Sequence, residues 1–435
     1  MQNLKKSVIE DSSLPNFKED SYMQQQDHWK SKLNQIPLTV WMLGLISLLM
    51  SISSVMITIL SPIFIKTVFG ATYTLAATID AVVEALSSFL KVFSGAISDK
   101  LKKRKFLIVI GYGVGILVKP FFALADSISW IFTARIIDRL ANGLRDAPRD
   151  ALMADAAPAH IKGKCFGLRV AMGSIGSLLG AALTVFLMRG CSMDFRDVFW
   201  FSVIPASLAL LVLIFFVKDK HTSSEIKVAS GPEFHLSEIK SLPGAFWYFI
   251  LIVFVFMLGK TSESLLVLRT FEVVMTSGNM SENIGFICGV MILMNLAYSA
   301  SAYPMGKVSD GFDRRIFLFL GGGVLICANL LLAFSSTTVS VASGVALWGL
   351  HMGIVQGLFA SMVAERTPAH LKGTAFGAFH LVSGLAAIIG VPTSGYLWQH
   401  YGAEYSFLAE VAAVCLALIF AIFLPKYKEK SFIPS

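Results

Sequence analysis

Charged residues and cysteines are both scarce in this sequence. Asp, Glu, Lys and Arg make up 15% of its 435 residues, whereas a soluble domain has roughly 25%. The 5 cysteines stand alone and form no Cys-x-x-Cys pair, so neither a disulfide framework nor a zinc site is indicated. The chain is instead apolar: 55% of residues are hydrophobic, 34 are phenylalanine, and the mean hydropathy is +0.69. This composition excludes a soluble globular protein and predicts a polytopic membrane protein.

The apolar runs predict about twelve membrane-spanning helices, since about 20 apolar residues cross a bilayer as a helix. The first 37 residues are polar, with no apolar core or cleavage site, which predicts a cytoplasmic tail and no signal peptide. Lys and Arg concentrate in the connections on the same side as this tail. The predicted outer loops hold only Lys66, Arg189, Arg196 and Arg269, so both termini are predicted to be cytoplasmic. This bias explains the net charge of +8, which is no evidence for nucleic-acid binding.

The chain also repeats itself. "ADAAPAHIKGKCFG" from Ala154 recurs as "AERTPAHLKGTAFG" from Ala364, an offset of 210, and "GAISDKLKKRK" from Gly95 recurs as "GKVSDGFDRRI" from Gly306, an offset of 211. Nearly equal offsets, with six spans in each copy, predict two parallel six-helix repeats. The predicted domains are a tail 1–37, a bundle 38–217, a cytoplasmic linker 218–245, a bundle 246–424 and a tail 425–435.

Six plus six spans, with Gly-x-x-x-Asp and a basic run after the second span of each repeat, resemble the major facilitator superfamily (MFS). The resemblance covers nearly the whole chain, although Leu101 and Lys102 stand where a second glycine is expected. It implies a secondary transporter in a bacterial inner membrane, working by alternating access. It also implies gating latches at the cytoplasmic end, and solvated loop charges are the alternative. The predicted latch residues are Gly95, Asp99, Arg104, Asp155, Gly306, Asp310, Arg315 and Glu365.

The fourth predicted span, 130–153, carries several Arg and Asp residues. The repeat offset aligns Arg139 with Gly349 and Arg145 with Val355, so the scaffold does not require these charges. They share one helix face, and buried charge costs at least about 2.5–3.5 kcal/mol on insertion scales, which favours a functional role. Local pairing of Arg135 with Asp138, or of Asp146 with Arg149, is the alternative for those four residues. Arg139 also begins an Arg-x-x-x-Gly element that the resemblance links to proton or substrate coupling.

The second predicted span presents a complementary polar stripe of Asp80, Glu84, Ser87 and Lys91. Equal depth predicts that Glu84 pairs with Arg139, and that Lys91 lies near Asp146 and Asp150. A buried carboxylate beside an arginine titrates when the arginine is drawn to a substrate. The predicted proton-coupling residues, for which a permanent structural ion pair is the alternative, are Glu84, Asp80 and Asp138.

The resemblance places spans 1, 4, 7 and 10 around a central cavity. Cations outnumber carboxylates among the intramembrane charges, which favours an anionic or zwitterionic organic solute, such as a carboxylate metabolite or a carboxylate-type siderophore, gripped by arginine. The predicted substrate-binding residues are Arg139, Arg135, Arg145, Lys260, Glu263, His351, Gln356, Trp41 and Trp348. His351 has a satisfied structural histidine as its alternative.

Two other functions stay open. The first is a multidrug/proton antiporter of amphipathic compounds. Gly167, Gly176 and Gly180 keep the spacing of that group's fifth-span motif, but Ala181 stands in place of its proline, which disfavours this function. These glycines are also explained by close helix approach. A non-transporting solute sensor would signal through the linker.

Catalytic motifs are missing. The sequence has no phosphate-binding glycine loop, metal-ligand cluster or nucleophile with a traceable base, so we expect neither an enzyme nor a cofactor or bound metal. The expected partners are an organic solute, protons and the bilayer, and the expected state is a monomer.

Overall fold

The computed structural model describes residues 36–101, 104–158, 161–217, 241–275, 280–309, 312–368 and 371–425, and the regular structure within these ranges is helical. Its helices are α1 Leu38–Thr67, α2 Tyr73–Leu101, α3 Arg104–Ala123, α4 Ile128–Ala156, α5 Lys162–Val185, α6 Phe195–Phe201, α7 Val203–Phe216, α8 Gly244–Leu258, α9 Glu263–Val274, α10 Met280–Ser309, α11 Arg314–Ala333, α12 Thr338–Glu365, α13 Lys372–Tyr401 and α14 Ala403–Ile422. A π-helical turn, Phe186–Gly190, extends α5. Because α6 with α7 and α8 with α9 each make one span, these helices correspond to the twelve predicted spans. Most of the predicted linker lies outside the described residues.

Eleven of these segments are long and apolar enough to cross a membrane. The remaining one is α4, which has 29 residues but is interrupted by the Arg and Asp side chains noted above. The predicted all-α membrane fold is therefore confirmed, and α4 is the span whose charge needs a structural explanation.

The same helix pairs form in both halves of the chain. In the first half α1 packs on α5 and α7, while α4 packs on α2 and α3; in the second half α8 packs on α13 and α14, while α12 packs on α10 and α11. Matched in chain order, these pairs are equivalent, as expected for parallel repeats. The halves meet where α2 packs on α13 and α5 packs on α10.

Two arginines of the predicted outer loops fasten equivalent connections. Arg196 donates to the carbonyl oxygens of Ala123 and Ala125 at 3.0 and 2.8 Å. Arg269 donates to those of Leu332 and Ser335, at 3.0 and 2.9 Å. Carbonyl groups at helix ends lack helical partners, so these guanidinium groups satisfy the α3–α4 and α11–α12 connections and have a structural role.

The glycines of α5 differ in what surrounds them. A methyl group on Gly180 would lie 2.6 Å from the carbonyl oxygen of Ile52 on α1, and one on Gly176 would collide with the backbone of Leu48. A methyl group on Gly167 would meet nothing within 4 Å. Gly176 and Gly180 therefore allow the close α1–α5 approach that the alternative interpretation of this motif required.

We predict that Gly180→Val destabilises the purified protein by about 1–3 kcal/mol or more, because the added atoms meet main chain that cannot move aside. Gly167→Val is the matched control on the same helix and should stay within about 0.5 kcal/mol of the wild type. Thermal unfolding in detergent measures both, and equal melting temperatures for the two variants would contradict the close packing.

Candidate functional site

The seventh predicted span, 246–268, is broken between α8 and α9. Gly259 ends α8, and the Ser262 hydroxyl accepts a hydrogen bond from the Leu265 amide at 3.2 Å as the N-cap of α9. Four residues from Gly259 to Ser262 are left outside helical geometry. The break places Lys260 and Glu263 on the wall of a central cavity, since irregular backbone at membrane depth is tolerated where it lines a cavity.

This cavity has a volume of about 520 Å³ and lies between the two halves. It brings together nine residues predicted from the sequence, which come from α2, α4, the α8–α9 break and α12. They are Asp80, Glu84, Arg135, Arg139, Lys260, Glu263, Trp348, His351 and Gln356.

A side chamber of about 70 Å³ adjoins the cavity within the first half and shares Arg135 and Arg139 with it. Asp138 lies here, accepting a hydrogen bond from Asn142 at 3.0 Å. Lys119 of α3 also lines the chamber and is 1% exposed. Lys119 is not among the binding or proton-coupling residues predicted from the sequence.

Ion pairing in the cavity differs from the predicted arrangement. Arg135 pairs with Asp80 on α2 at 2.8 Å, whereas pairing with Asp138 on its own helix was the alternative considered. Among the described residues, Glu84 and Arg139 have no ion-pair partner within 4 Å. The predicted contact between α2 and α4 therefore exists, but it is made by the residue one turn nearer the predicted outer end.

Three other cavity residues have partners that the sequence did not indicate. The Lys260 ammonium lies 5.9 Å from the ring centre of Trp348, within cation–π range. His351 Nδ1 lies 2.9 Å from the Gly321 carbonyl oxygen, so its alternative role as a satisfied structural histidine has direct support. Gln356 accepts a hydrogen bond from the Tyr298 hydroxyl at 2.7 Å.

Two predicted binding residues lie away from the cavity lining. Arg145 is 6% exposed and lies against α3, with its guanidinium 4.4 Å from the ring centre of Tyr112. The charged residues of α4 are spread over a wide face of the helix. Arg139, at one edge of this face, lines the cavity, and Arg145, at the other edge, faces α3. Trp41 lies near the first turn of α1, outside the cavity wall.

The predicted latch positions are only partly described. Asp310 lies outside the described residues, and of Gly95, Asp99 and Arg104 only the helical backbone is described. The side chain of Lys91 is likewise outside the described part, so its proximity to Asp146 and Asp150 stays a prediction. Gly306 lies in α10, and Asp155 is exposed near the end of α4.

In the second half Glu365 pairs with Arg314 at 3.1 Å. Arg315, the predicted residue, pairs instead with Asp313 at 2.7 Å and donates to the Leu424 carbonyl oxygen at 2.9 Å. At the corresponding end of the first half, Arg149 pairs with Asp146 at 3.1 Å and with Asp150 at 3.3 Å, which is the local pairing stated above as the alternative to a functional role.

The two halves touch beyond the cavity at the predicted outer end. The Tyr73 ring of α2 stacks on Trp398 of α13 with centroids 4.6 Å apart, and the Tyr73 amide donates to Gln399 at 3.0 Å. Gly395 lies against Ala77 on the same pair of helices. The outer end of the α2–α13 seam is therefore closed.

Two repeats of six membrane helices, with a charged cavity and a broken helix at their interface, define a secondary-transporter fold. A sequence profile of the Major Facilitator Superfamily matches residues 43–383 and 271–435. The chain therefore belongs to the major facilitator superfamily, and it is an MFS transporter.

Relatives and solved structures agree with this assignment. An uncharacterised MFS-type transporter of Methanocaldococcus jannaschii is 29% identical over 388 residues, which cover 88% of this chain and 94% of the relative. The quinolone resistance protein NorA of Staphylococcus aureus is 29% identical over 132 residues, 30% of this chain and 33% of NorA. The structure of a D-xylose-proton symporter has a TM-score of 0.68 at 16% identity, covering 91% of this chain and 99% of the symporter, and supports the fold.

We predict that Asp80→Asn destabilises the protein, because it leaves Arg135 without its counter-charge. Loss of one partner of a fully buried pair costs about 3–5 kcal/mol, and cavity water should reduce this value here. Glu84→Gln is the control on the same helix and should be nearly neutral. Adding Arg135→Gln to Asp80→Asn should recover part of the loss in a double-mutant cycle of melting temperatures, and additive losses would argue against the pair.

Proposed function

We propose that this transporter moves a small anionic or zwitterionic organic solute by proton-coupled alternating access. The observation that carries the proposal is the set of charges left unpaired in the cavity. Within the described chain, Arg139 and Lys260 have no carboxylate within 4 Å, and Glu84 and Glu263 have no cation within 4 Å. Asp80 and Arg135 are already paired with each other.

Unpaired charges of both signs suit a solute that carries an acid group. A guanidinium binds a carboxylate or phosphate through parallel hydrogen bonds, and Lys260 adds a second positive charge from the opposite half. A solute held by both residues contacts both halves of the protein, as alternating access requires. A carboxylate metabolite or a carboxylate-type siderophore has this chemistry.

Proton coupling follows from the same electrostatics. With Glu84 and Glu263 ionised, the four unpaired charges cancel, and an anion gains little by entering. Protonation of either carboxyl leaves a net positive cavity that binds an anion more tightly. Proton and anion binding then favour one another, which is the thermodynamic condition for symport. Asp138 is a further proton-carrier candidate in the side chamber.

The predicted latches complete the proposed cycle. Contacts at Tyr73 and Trp398 hold the outer seam in the state described, and the Arg314–Glu365 pair is the ionic contact at the other end of the second half. We assign the latch role to the predicted residues, with Arg314 added to them. We further propose a monomer in a bacterial inner membrane, with the 1–37 tail, the 218–245 linker and the 425–435 tail in the cytoplasm.

Export of amphipathic compounds is the second candidate function. Six apolar cavity residues support it, namely Phe256, Met257, Met352, Phe359, Phe376 and Phe379. The partial similarity to a quinolone resistance protein supports it as well. A lipophilic cation would contact these rings and the unpaired carboxylates and would have no use for Arg139.

We predict that organic anions stabilise the wild-type protein and fail to stabilise Arg139→Gln or Lys260→Met. The measurement is thermal unfolding against organic anions, zwitterions, lipophilic cations and neutral sugars. A ligand at 100 times its Kd adds about 2.7 kcal/mol, which a melting shift reveals. Lys164→Gln, which removes an exposed cation remote from the cavity, is the matched control and should respond like the wild type.

Proteoliposomes then test transport of any solute found in this way. An inward proton gradient should drive accumulation of that solute, and Glu84→Gln or Glu263→Gln should weaken the pH dependence of its binding. Stabilisation by lipophilic cations that Arg139→Gln leaves unchanged would replace this proposal with the export function.

A further inference from the structure

A single carboxyl group is buried behind the α8–α9 break, on the side away from the cavity. Glu410 of α14 is 2% exposed. Its Oε1 accepts a hydrogen bond from the Ser394 hydroxyl of α13 at 2.8 Å, and its Oε2 has no hydrogen-bond partner within the part of the chain that the structure describes. The Thr261 hydroxyl of the break is its other neighbouring polar group.

No cation compensates this carboxyl among the described residues, since none forms an ion pair with it within 4 Å. The helices packed on α14 are α8, α11 and α13. Apart from Lys372 at the start of α13, whose side chain lies outside the described residues, the acidic and basic groups on these helices, at the break and on α14 itself are Lys260, Glu263, Arg314, Arg315, His380, His400 and Glu404.

Those groups lie elsewhere in the fold. Lys260, Glu263 and His380 line the cavity. Arg314 and Arg315 start α11, His400 contacts Tyr396 near the end of α13, and Glu404 lies in the first turn of α14. An ionised carboxylate in such a site would bear an uncompensated desolvation penalty, whereas a protonated carboxyl needs only one donor and one acceptor.

The break supplies both a polar neighbour and a route to the cavity. Thr261 is 2% exposed, its hydroxyl has no hydrogen-bond partner among the described residues, and the residue forms part of the cavity wall. Carbonyl groups at the end of α8 lack helical donors, and that of Gly259 receives only a long 3.4 Å contact from Asn329. Thr261 therefore separates Glu410 from the cavity by a single residue.

The repeat shows that the scaffold does not need an acid at this position. "FLAEVAAVCLAL" from Phe407 matches "FWFSVIPASLAL" from Phe199 at an offset of 208, two residues less than the 210 found above, and this match aligns Glu410 with Ser202. Ser202 is also buried, and its hydroxyl donates to the Phe199 carbonyl oxygen at 2.7 Å. A neutral residue suffices in the first half, so the carboxyl in the second half has a separate cause.

We propose that Glu410 is a proton-binding site closed off behind the α8–α9 break and reached from the cavity through Thr261. The proton adds to Oε2 from cavity water and leaves by the same route, with no other bond made or broken. The protonated carboxyl, held by Ser394 and Thr261, stabilises the broken segment that presents Lys260 and Glu263. Its use in driving transport rests on the proposed function, but its existence as a proton site does not.

Infrared difference spectroscopy of the full chain in lipid tests the site without any solute. The wild-type protein should show the C=O stretch of a protonated carboxyl at neutral pH, and Glu410→Gln, a nearly isosteric change, should lose that band. Ser394→Ala should retain the band and shift it to higher frequency because one hydrogen bond is lost. Thr261→Val should slow its shift on transfer to D₂O. Glu404→Gln, which changes an exposed acid in the first turn of the same helix, is the matched control and should leave the band unchanged.

Three results would overturn the proposal. The first is an infrared spectrum that Glu410→Gln leaves unchanged. The second is a carboxyl band that shifts in D₂O as fast in Thr261→Val as in the wild type. The third is a melting temperature that rises with Na⁺ but not with choline, and only when Glu410 is present. The last would make this a metal-cation site.

Transport assays separate this proposal from the wider one. For a solute that the wild type carries, Glu410→Gln should keep exchange between equal concentrations on both sides and lose accumulation driven by a proton gradient. Undiminished gradient-driven accumulation would contradict a coupling role. If the wild type carried no tested solute, the proposed function would be contradicted. If Glu410→Gln still lost the infrared band, the proton site would remain supported.

Discussion

A charge or a main-chain polar group inside a bilayer has to find its partner within the protein, because lipid offers none. The features that distinguish this chain follow from that constraint. Arg196 and Arg269 bind carbonyl groups of equivalent connections, and Arg135 takes Asp80 from the neighbouring helix. Arg145 finds an aromatic ring instead of a carboxylate. The charged side chains of the cavity wall that have no such partner are therefore available to bind a solute.

The two repeats share a scaffold but place their polar groups differently. In the first half an unbroken helix, α4, carries the charge on its side chains. In the second half the break between α8 and α9 exposes main chain and two charged side chains together. A ligand shifts a conformational equilibrium only through a difference in its contacts between the two states. Contacts from two unlike surfaces provide such a difference when the halves move relative to each other.

Much of this arrangement could be predicted from sequence because the internal repeat acts as a control. Charges present in one half and missing from the other marked Arg135 and Arg139. The polar stripe of the second span marked Asp80 and Glu84, and the resemblance to the family indicated the other five predicted residues that line the cavity. The failures have geometric causes. The charged residues of α4 spread over roughly 140° of its circumference at 100° per residue. The sequence does not show which edge of this face meets the cavity, so Arg145 was grouped with Arg139. Depth counted along α2 and α4 gives Asp80 with Arg135 the same register as Glu84 with Arg139, and it cannot say which of the two pairs forms. The choice between Arg314 and Arg315 depends on where α11 begins, which helix-end signals fix only to within a residue or two.

Glu410 illustrates a limit of a different kind. Beyond the first turn of α14, which contains Glu404, it is the one acid of a mainly apolar helix. No stripe or motif surrounds it, and only the fold reveals that it faces the broken segment. Its position also bears on how coupling is distributed. The carboxyls of the cavity are wet and close to Arg139 and Lys260, so their protonation reports directly on the solute. A carboxyl behind Thr261 experiences the solute only through the shape of the break. If both kinds of site load protons, the first adjusts affinity while the second adjusts the conformation that presents Lys260, and these two effects are separable because one acts through charge and the other through backbone geometry.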